Sequence, residues 1–338
     1  MDYAHDETDK IIDEMAKRLK EEYDQAQEEV QAKLEDYFAS FRRKDMQMRA
    51  DMEAGKITKQ EYQNWRRSQL IVGRRWARLQ HELARDMFNT NMIAREIVYG
   101  YLPEIWALNY NFGTFEVEKA FGIDLGFTQY DHKAVAYLVK HNPQILPMPS
   151  PKRLRELKEA GETLWESQKI ISVMMQSILQ GESLEKTAKR VANTLGTQDY
   201  NAAVRNARTM ATATENAGRI EAFKEAKELG AEGYQEWVAV HDARTRHAHR
   251  EADGQKIQVG EKFIVDGYEM EAPADPTAPA YLVYNCRCHV KFVPKGLEPR
   301  AEKRRVIAGY DSYEEWKAGK YDPKRDKEYR ENRRRNNG

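Results

Sequence analysis

The sequence predicts a mostly α-helical protein with a small C-terminal α+β domain and an elongated N-terminal helical hairpin. Three observations carry this prediction. Apolar residues recur at helical spacing through most of the first hundred positions, and the period shortens to two after Tyr234. Of 338 residues, 33% are charged and 41% hydrophobic, at a mean hydropathy of −0.86, a composition suited to long, solvated helices. The length allows two domains and a sizeable core.

From Ile12 the apolar positions run through Met15, Leu19, Tyr23, Ala26, Val30, Leu34 and Tyr37 to Phe41, in steps of three and four. This eleven-residue rhythm, about 3.67 residues per turn, predicts a nearly straight helix with one continuous apolar stripe. The stripe needs a partner surface, internal or foreign, and the leading expectation is that the first helices bury it against other proteins. Gly55 and the capping box Thr58-x-x-Glu61 should end this arm and start a second long helix carrying Trp65, Leu70, Trp76, Leu79, Leu83 and Met87. The Arg-rich run WRRSQLIVGRRWARL within it reads as a solvated face.

Between Gly100 and Pro151 an aromatic, turn-rich texture predicts short elements and a joint, with a boundary near Pro147 to Pro151. Beyond it, one helix should pass through Ile170, Ile171, Met174 and Leu179 to Gly181, and the next has Ser183 as N-cap. A third is expected from about Asp199 to Gly230. A strand around Trp237 to Val240 follows, then a hairpin, FIVDGYEME, whose Asp266-Gly267 pair suits a type I′ turn. The loop PADPTAPA leads to YLVYNCRCHVKFV, read as a strand with Tyr284, Cys286, Cys288, Val290 and Phe292 on one face and Asn285, Arg287, His289 and Lys291 on the other. The tail from Pro323 holds seven Lys/Arg against three acids and should be disordered when alone. Residues 1–150, 151–230, 231–300 and 301–338 thus read as a helical arm with its aromatic region, a helical segment, the α+β domain and a basic tail.

Lys plus Arg and Asp plus Glu are both 55, so there is no global basic field and any nucleic-acid contact must be local, with the tail as its best candidate. No stretch has the roughly 18 consecutive apolar residues of a membrane span, and MDYAHDETDK lacks the features of a signal peptide, so no membrane association or secretion is expected. Neither Gly-x-Ser-x-Gly, a Walker lysine loop nor Gly-x-Gly-x-x-Gly occurs. The two cysteines, Cys286 and Cys288, are too close in sequence for an unstrained disulfide and fit a reducing compartment.

The densest reactive cluster is HDARTRHAHREADG at 241–254, followed by NCRCH at 285–289. Thiols and imidazoles together suit zinc, and His249, Cys286 and Cys288 are the best ligands if an ion is bound. The spacing matches no standard zinc finger, and the favoured reading of both thiols is as small core residues. Asp242, Arg244 and Arg246 lie where a strand gives way to a turn, and a carboxylate–guanidinium pair there would pin the loop. Asp253-Gly254 reads as a turn.

The stretch from about Arg205 to Val293 resembles the Mu F-type head morphogenesis domain of tailed bacteriophages, also called the minor head protein domain. The resemblance rests on ARTMATATENAGR, EWVAVHDARTRHAHREADG, PADPTAP and YNCRC, in that order. The family pattern falls on Arg208, Thr209, Glu215, Trp237, Asp242, Arg244, Arg246, His249, Asp253, Gly254, Pro273, Asp275, Pro276, Asn285, Cys286, Arg287 and Cys288. Upstream, ELARDMFNTNMIAREIVYGYLPEIWALNYNFGT and LVKHNPQILP are similar to the helical part of minor capsid proteins from siphophages or prophages of Gram-positive hosts.

The resemblance implies a structural, non-enzymatic protein of the virion. It would enter the procapsid at low copy in the host cytoplasm, meet the portal protein and other head proteins at the portal vertex, and contact packaged double-stranded DNA or aid its delivery. It brings no cofactor with it, which leaves zinc at His249, Cys286 and Cys288 as the one ion the residues themselves suggest. The competing expectation is a metal-dependent nuclease or hydrolase built on His247, His249, Asp253 and the two cysteines, with a metal-activated water as nucleophile.

Overall fold

The computed structural model describes residues 2–141, 162–302 and 312–320. Long helices dominate: α1 (Tyr3–Ala39), α2 (Arg42–Glu53), α3 (Lys59–Leu70), α4 (Arg74–Phe121), α5 (His132–His141), α6 (Glu162–Gln180) and α7 (Leu184–Glu228). A small mixed region follows, with β1 (Ala231–Val238), α8 (His247–Ala252), β2 (Lys256–Gln258), β3 (Phe263–Val265), β4 (Tyr268–Met270), α9 (Ala280–Val283), β5 (His289–Leu297), α10 (Pro299–Glu302) and α11 (Tyr313–Lys320). The chain is thus mostly α with a small C-terminal α+β part. It divides into two compact units that are not consecutive in sequence, one from Met1–Ile12, Tyr101–Met148 and Arg208–Gly338, the other from Asp13–Gly100 and Pro149–Ala207. The expected boundary near Pro147 to Pro151 and the basic tail lie outside the described residues.

In the all-helical unit, α1 and α4 run antiparallel. The ring of Tyr37 lies 6.0 Å from that of Trp76, Lys33 bonds Asp86 at 2.5 Å and the Tyr23 hydroxyl donates to Asn91 at 2.6 Å. On another side of α1, Gln27 donates to Asn193 of α7. Ile12, Met15, Leu19, Tyr23, Ala26, Val30, Leu34 and Tyr37 are all buried. The stripe therefore finds its partner within the chain, and the expectation that it covers a foreign protein is overturned: α4 and α7 are long enough to cover it.

The arm is broken where the sequence suggested continuity. The Thr58–Glu61 capping box forms as predicted, but α3 stops at Leu70 and α4 starts anew after Gly73, whose φ of +98° only glycine adopts without strain. Arg66 is not on a solvated face. It has no exposed surface, lies 3.2 Å from Asp45 and donates to the Glu182 carbonyl at 2.6 Å, joining the α2–α3 turn to the turn after α6.

Two further boundaries move. Helix α4 continues through Gly100 and Pro103 to Phe121, where short elements were expected, because Leu102, Ile105 and Trp106 are buried and their packing outweighs the hydrogen bond that proline removes. Helix α7 is a single helix from Leu184, with no new start at Asp199, and the Ser183 hydroxyl accepts from Lys186 N–H as an N-cap does. Asp199 instead accepts from Lys169 at 2.5 Å.

In the other unit, β1 pairs antiparallel with β2 and β5 in the order β2-β1-β5, and β3–β4 forms the expected hairpin with Asp266 and Gly267 both at positive φ. Ala4, Phe112, Phe115, Tyr313 and Trp316 form a buried cluster, and Trp316 donates from its indole to Glu118 at 2.7 Å. The helices α4 and α7 approach closely at Gly218, where a Cβ would stand 2.6 Å from the Trp106 carbonyl oxygen. Replacing Gly218 by alanine must push the two helices apart. G218A is expected to lower stability by about 1–3 kcal/mol, measured as a shift in the urea midpoint. An unchanged midpoint would show that this crossing has slack.

Candidate functional site

The segment ARTMATATENAGR lies within α7, and one polar face of that helix holds the NCRC loop. Thr209 accepts from Asn285 N–H at 3.1 Å, and the Thr212 hydroxyl donates to the Cys286 carbonyl at 2.8 Å. Asn216 accepts from Val290 N–H at 2.8 Å and donates toward the Cys288 and Pro273 carbonyls at 3.2 and 3.3 Å. Arg219 reaches the Val290 carbonyl at 3.3 Å. These four residues are three, four and three apart, the spacing that puts side chains on one helical face. A buried backbone that is not part of a strand needs partners for its polar groups, and this face supplies them.

The NCRC segment is therefore a braced loop and not the start of the strand. The chain turns at Asn285, with φ +54°, and β5 begins only at His289. Cys286 and Cys288 are buried beside Val290 and Phe292, but Tyr284, expected on the same face, is exposed. His289 is buried on another side, away from the thiols.

His249, carried on α8, completes the cluster. Its Nδ1 lies 3.3 Å from Cys288 Sγ and 3.7 Å from Cys286 Sγ, and Trp237 meets its ring edge-on at 5.6 Å. All three donors are buried, and the cysteines are not bridged. The Cys288 S–H and the neighbouring His249 hold the Cys286 thiol below the ordinary range in spite of burial. The Cys286 sulfur and burial push Cys288 up.

The other motif residues build the frame. Asp242 pairs with Arg287 through two bonds of 2.7 Å, which hold its carboxyl well below the usual range. Of the expected partners, Arg244 is largely exposed but still pairs with Asp242 at 3.5 Å, whereas Arg246 donates to the Tyr284 carbonyl. Asp253 accepts from Ala239 N–H at 2.8 Å, and Gly254 turns at φ +75°. Asp275 accepts from the backbone of Glu271 and Thr277 and closes the PADPTAP loop, in which Pro273 is buried and Pro276 exposed. Arg208 is exposed. The hydrolase constellation is not assembled: His247 is 87% exposed beside Glu251, and Asp253 is occupied by Ala239 and by His241 at 3.2 Å.

Of the charged centre behind this loop, the family pattern includes Glu215, but sequence reasoning passed over Arg219, Asp2 and His5. Arg219, fully buried, makes two 2.7 Å bonds to Asp2, lies 3.3 Å from Glu215 and donates to Asn109 at 3.0 Å. Glu215 also bonds His5 Nδ1 at 2.8 Å, and His289 lies 3.3 Å from Asp2. The signal was available, since Thr212, Asn216 and Arg219 continue the face begun by Thr209. Burial acts against the Asp2 charge, but the Arg219 fork outweighs it and holds the carboxyl well below its usual range. Burial pulls His289 down to about 4, whereas for His5 the Glu215 carboxylate overcomes burial and raises the pKa. Burial likewise pushes Glu116, 3.9 Å from Arg219, up to about 7.

Residues 168–291 match the family described as Phage Mu protein F like protein. This segment is similar to that family. The match ends where the resemblance does, and begins well before it, in α6. Over 207 residues the chain is 27% identical to an NAD(+)–arginine ADP-ribosyltransferase, EFV, of Enterococcus faecalis, covering 60% of this chain and 41% of that protein. Over 220 residues it is 26% identical to the minor head protein GP7 of Bacillus phage SPP1, covering 63% of this chain and 68% of that one. The chain thus spans about two fifths of the first relative and two thirds of the second. No solved structure matches the chain. The braced loop, α8 and the whole α7 polar face fall within the Mu F-like segment.

Glu116 makes the charged centre sensitive to pH. An acid whose folded pKa lies above its unfolded value favours the native state while protonated, so its contribution is lost as pH rises from about 4.5 to about 7. Glu116→Gln removes that slope. The variant is expected to gain on the order of 2 kcal/mol relative to wild type between pH 5 and pH 8. Urea unfolding of both proteins at each pH measures it, and the difference between them cancels the titration of Asp2, His5 and His289 to first order. A difference that does not change with pH would show that Glu116 ionises freely in the folded protein.

Proposed function

We propose that the protein is a structural component of a tailed-phage head, a minor head protein carried at low copy and acting in head morphogenesis. The observation that carries this reading is the match to a minor head protein over 220 residues, which extends well beyond the 168–291 family segment. In this reading the protein works in the virion after assembling in the host cytoplasm, and its partners are the portal protein and other head proteins at the portal vertex. Zero net charge and the absence of a catalytic sequence signature support an assembly role over a catalytic one. The match to the ADP-ribosyltransferase covers 41% of that protein, too small a share to carry over the activity in its name. Among the described residues no helix is long and apolar enough to cross a membrane.

Lys324, Arg325, Lys327, Arg330, Arg333, Arg334 and Arg335 are proposed to contact packaged DNA through its phosphates. Deleting residues 323–338 should then weaken binding to double-stranded DNA and flatten its salt dependence. Equal affinity after the deletion removes the tail from the reading. For the role itself, mass spectrometry of purified procapsids, full heads and emptied heads is the direct measurement. A few to a few tens of copies per procapsid are expected, and loss from emptied heads adds a part in DNA delivery. Absence from every particle overturns the assignment.

A further inference from the structure

Two sulfurs face one ring nitrogen within the Mu F-like segment. Cys288 Sγ is 3.3 Å and Cys286 Sγ 3.7 Å from His249 Nδ1, and all three atoms are buried. An imidazole nitrogen carries either one proton or one in-plane lone pair, so it can hydrogen-bond only one of these thiols, and the two sulfurs otherwise share a weak hydrogen bond with each other. A cation among the three serves them all. Zinc bonds of about 2.3 Å to sulfur and 2.0–2.1 Å to nitrogen, at tetrahedral angles, set sulfur and nitrogen donors roughly 3.5 Å apart. The two observed separations lie on either side of that value. Two sulfurs with one imidazole also form a donor set that selects zinc over the harder magnesium and calcium ions.

We propose that the protein binds one zinc ion through His249 Nδ1, Cys286 Sγ and Cys288 Sγ, as a structural centre that ties α8 to the loop preceding β5. Binding exchanges two S–H bonds for two zinc–sulfur bonds and releases both protons to solvent. The ring proton stays on Nε2. The three donors leave the fourth tetrahedral position to water or another non-protein ligand.

A second buried group, His5, Glu215 and His289, has donor atoms just as close together, but Arg219 lies 3.3 Å from Glu215 and is doubly bonded to Asp2. A fixed guanidinium already neutralises those carboxylates and repels a cation, so the ion belongs with the thiols. This assignment rests on the three side chains and is independent of the head-protein reading.

The test uses the full chain, prepared without a histidine tag, equilibrated with zinc and freed of excess by gel filtration. Elemental analysis is expected to find about one zinc per chain in the wild type and none in the double variant Cys286→Ser, Cys288→Ser. Cobalt in place of zinc should give the strong thiolate-to-metal charge-transfer absorption, and a chelator should lower the thermal midpoint. A folded wild-type protein that retains no zinc, or whose cobalt form lacks the thiolate band, overturns the proposal. Full zinc retention with an unaltered cobalt spectrum in His249→Ala overturns the ligand set. Because the wild-type cobalt spectrum reads the thiolates directly, the outcome stands even if the double variant fails to fold.

Discussion

Arg219 is a guanidinium with no access to water, and the unit that contains it is organised around meeting its charge and its hydrogen-bond donors. Asp2 from the start of α1, Asn109 from α4, Glu215 from its own helix and the Val290 carbonyl from β5 all converge on it. Taking a cation out of water is worthwhile only when partners surround it, and removing one partner from such a centre is far more damaging than removing a surface ion pair. The result is a join between segments more than two hundred residues apart in sequence. It also explains why the first turns of α1 belong to the same compact unit as the sheet, while the rest of that helix belongs to the other.

The same helix face performs a second task. Thr209, Thr212 and Asn216 satisfy the backbone of a loop that has no strand to lie in, and that loop presents two sulfurs to His249. Asp242 and Arg287 close the loop from the opposite side with a two-bond pair. Each part needs the others: without the threonines and the asparagine, the loop would bury unpaired carbonyls, and without the loop the helix would bury unpaired side chains. The motif residues are thus mostly the supports of one small assembly. Much of the reactive-looking chemistry in the sequence has a positioning role.

This changes how the clustered histidines, aspartates and cysteines of the motif are understood. A hydrolytic site needs its groups to converge where a substrate can reach, whereas here the thiols and His249 are buried and His247 and Asp253 are directed elsewhere. The arrangement is that of a buried, mutually braced interior, in a segment similar to the Phage Mu protein F like family.

The apolar stripe of α1, the Thr58 cap, the Gly181 and Gly230 stops, the Asp266-Gly267 turn and the switch from long helices to short strands were all legible in the sequence. Each depends on the periodicity or φ preference of residues close together in the chain. The trio of His249, Cys286 and Cys288 could be named from chemistry, but not its geometry. Only the tertiary structure decided that α4 runs through Pro103, that α7 is one helix, that Arg66 is buried and that the α1 stripe is covered from within. It also decided that Arg219 sits at the hub of its unit and that Asp242 pairs with Arg287 in preference to Arg244. Those outcomes depend on which distant surfaces bury one another, and packing overrides local preference wherever a long apolar face finds its match.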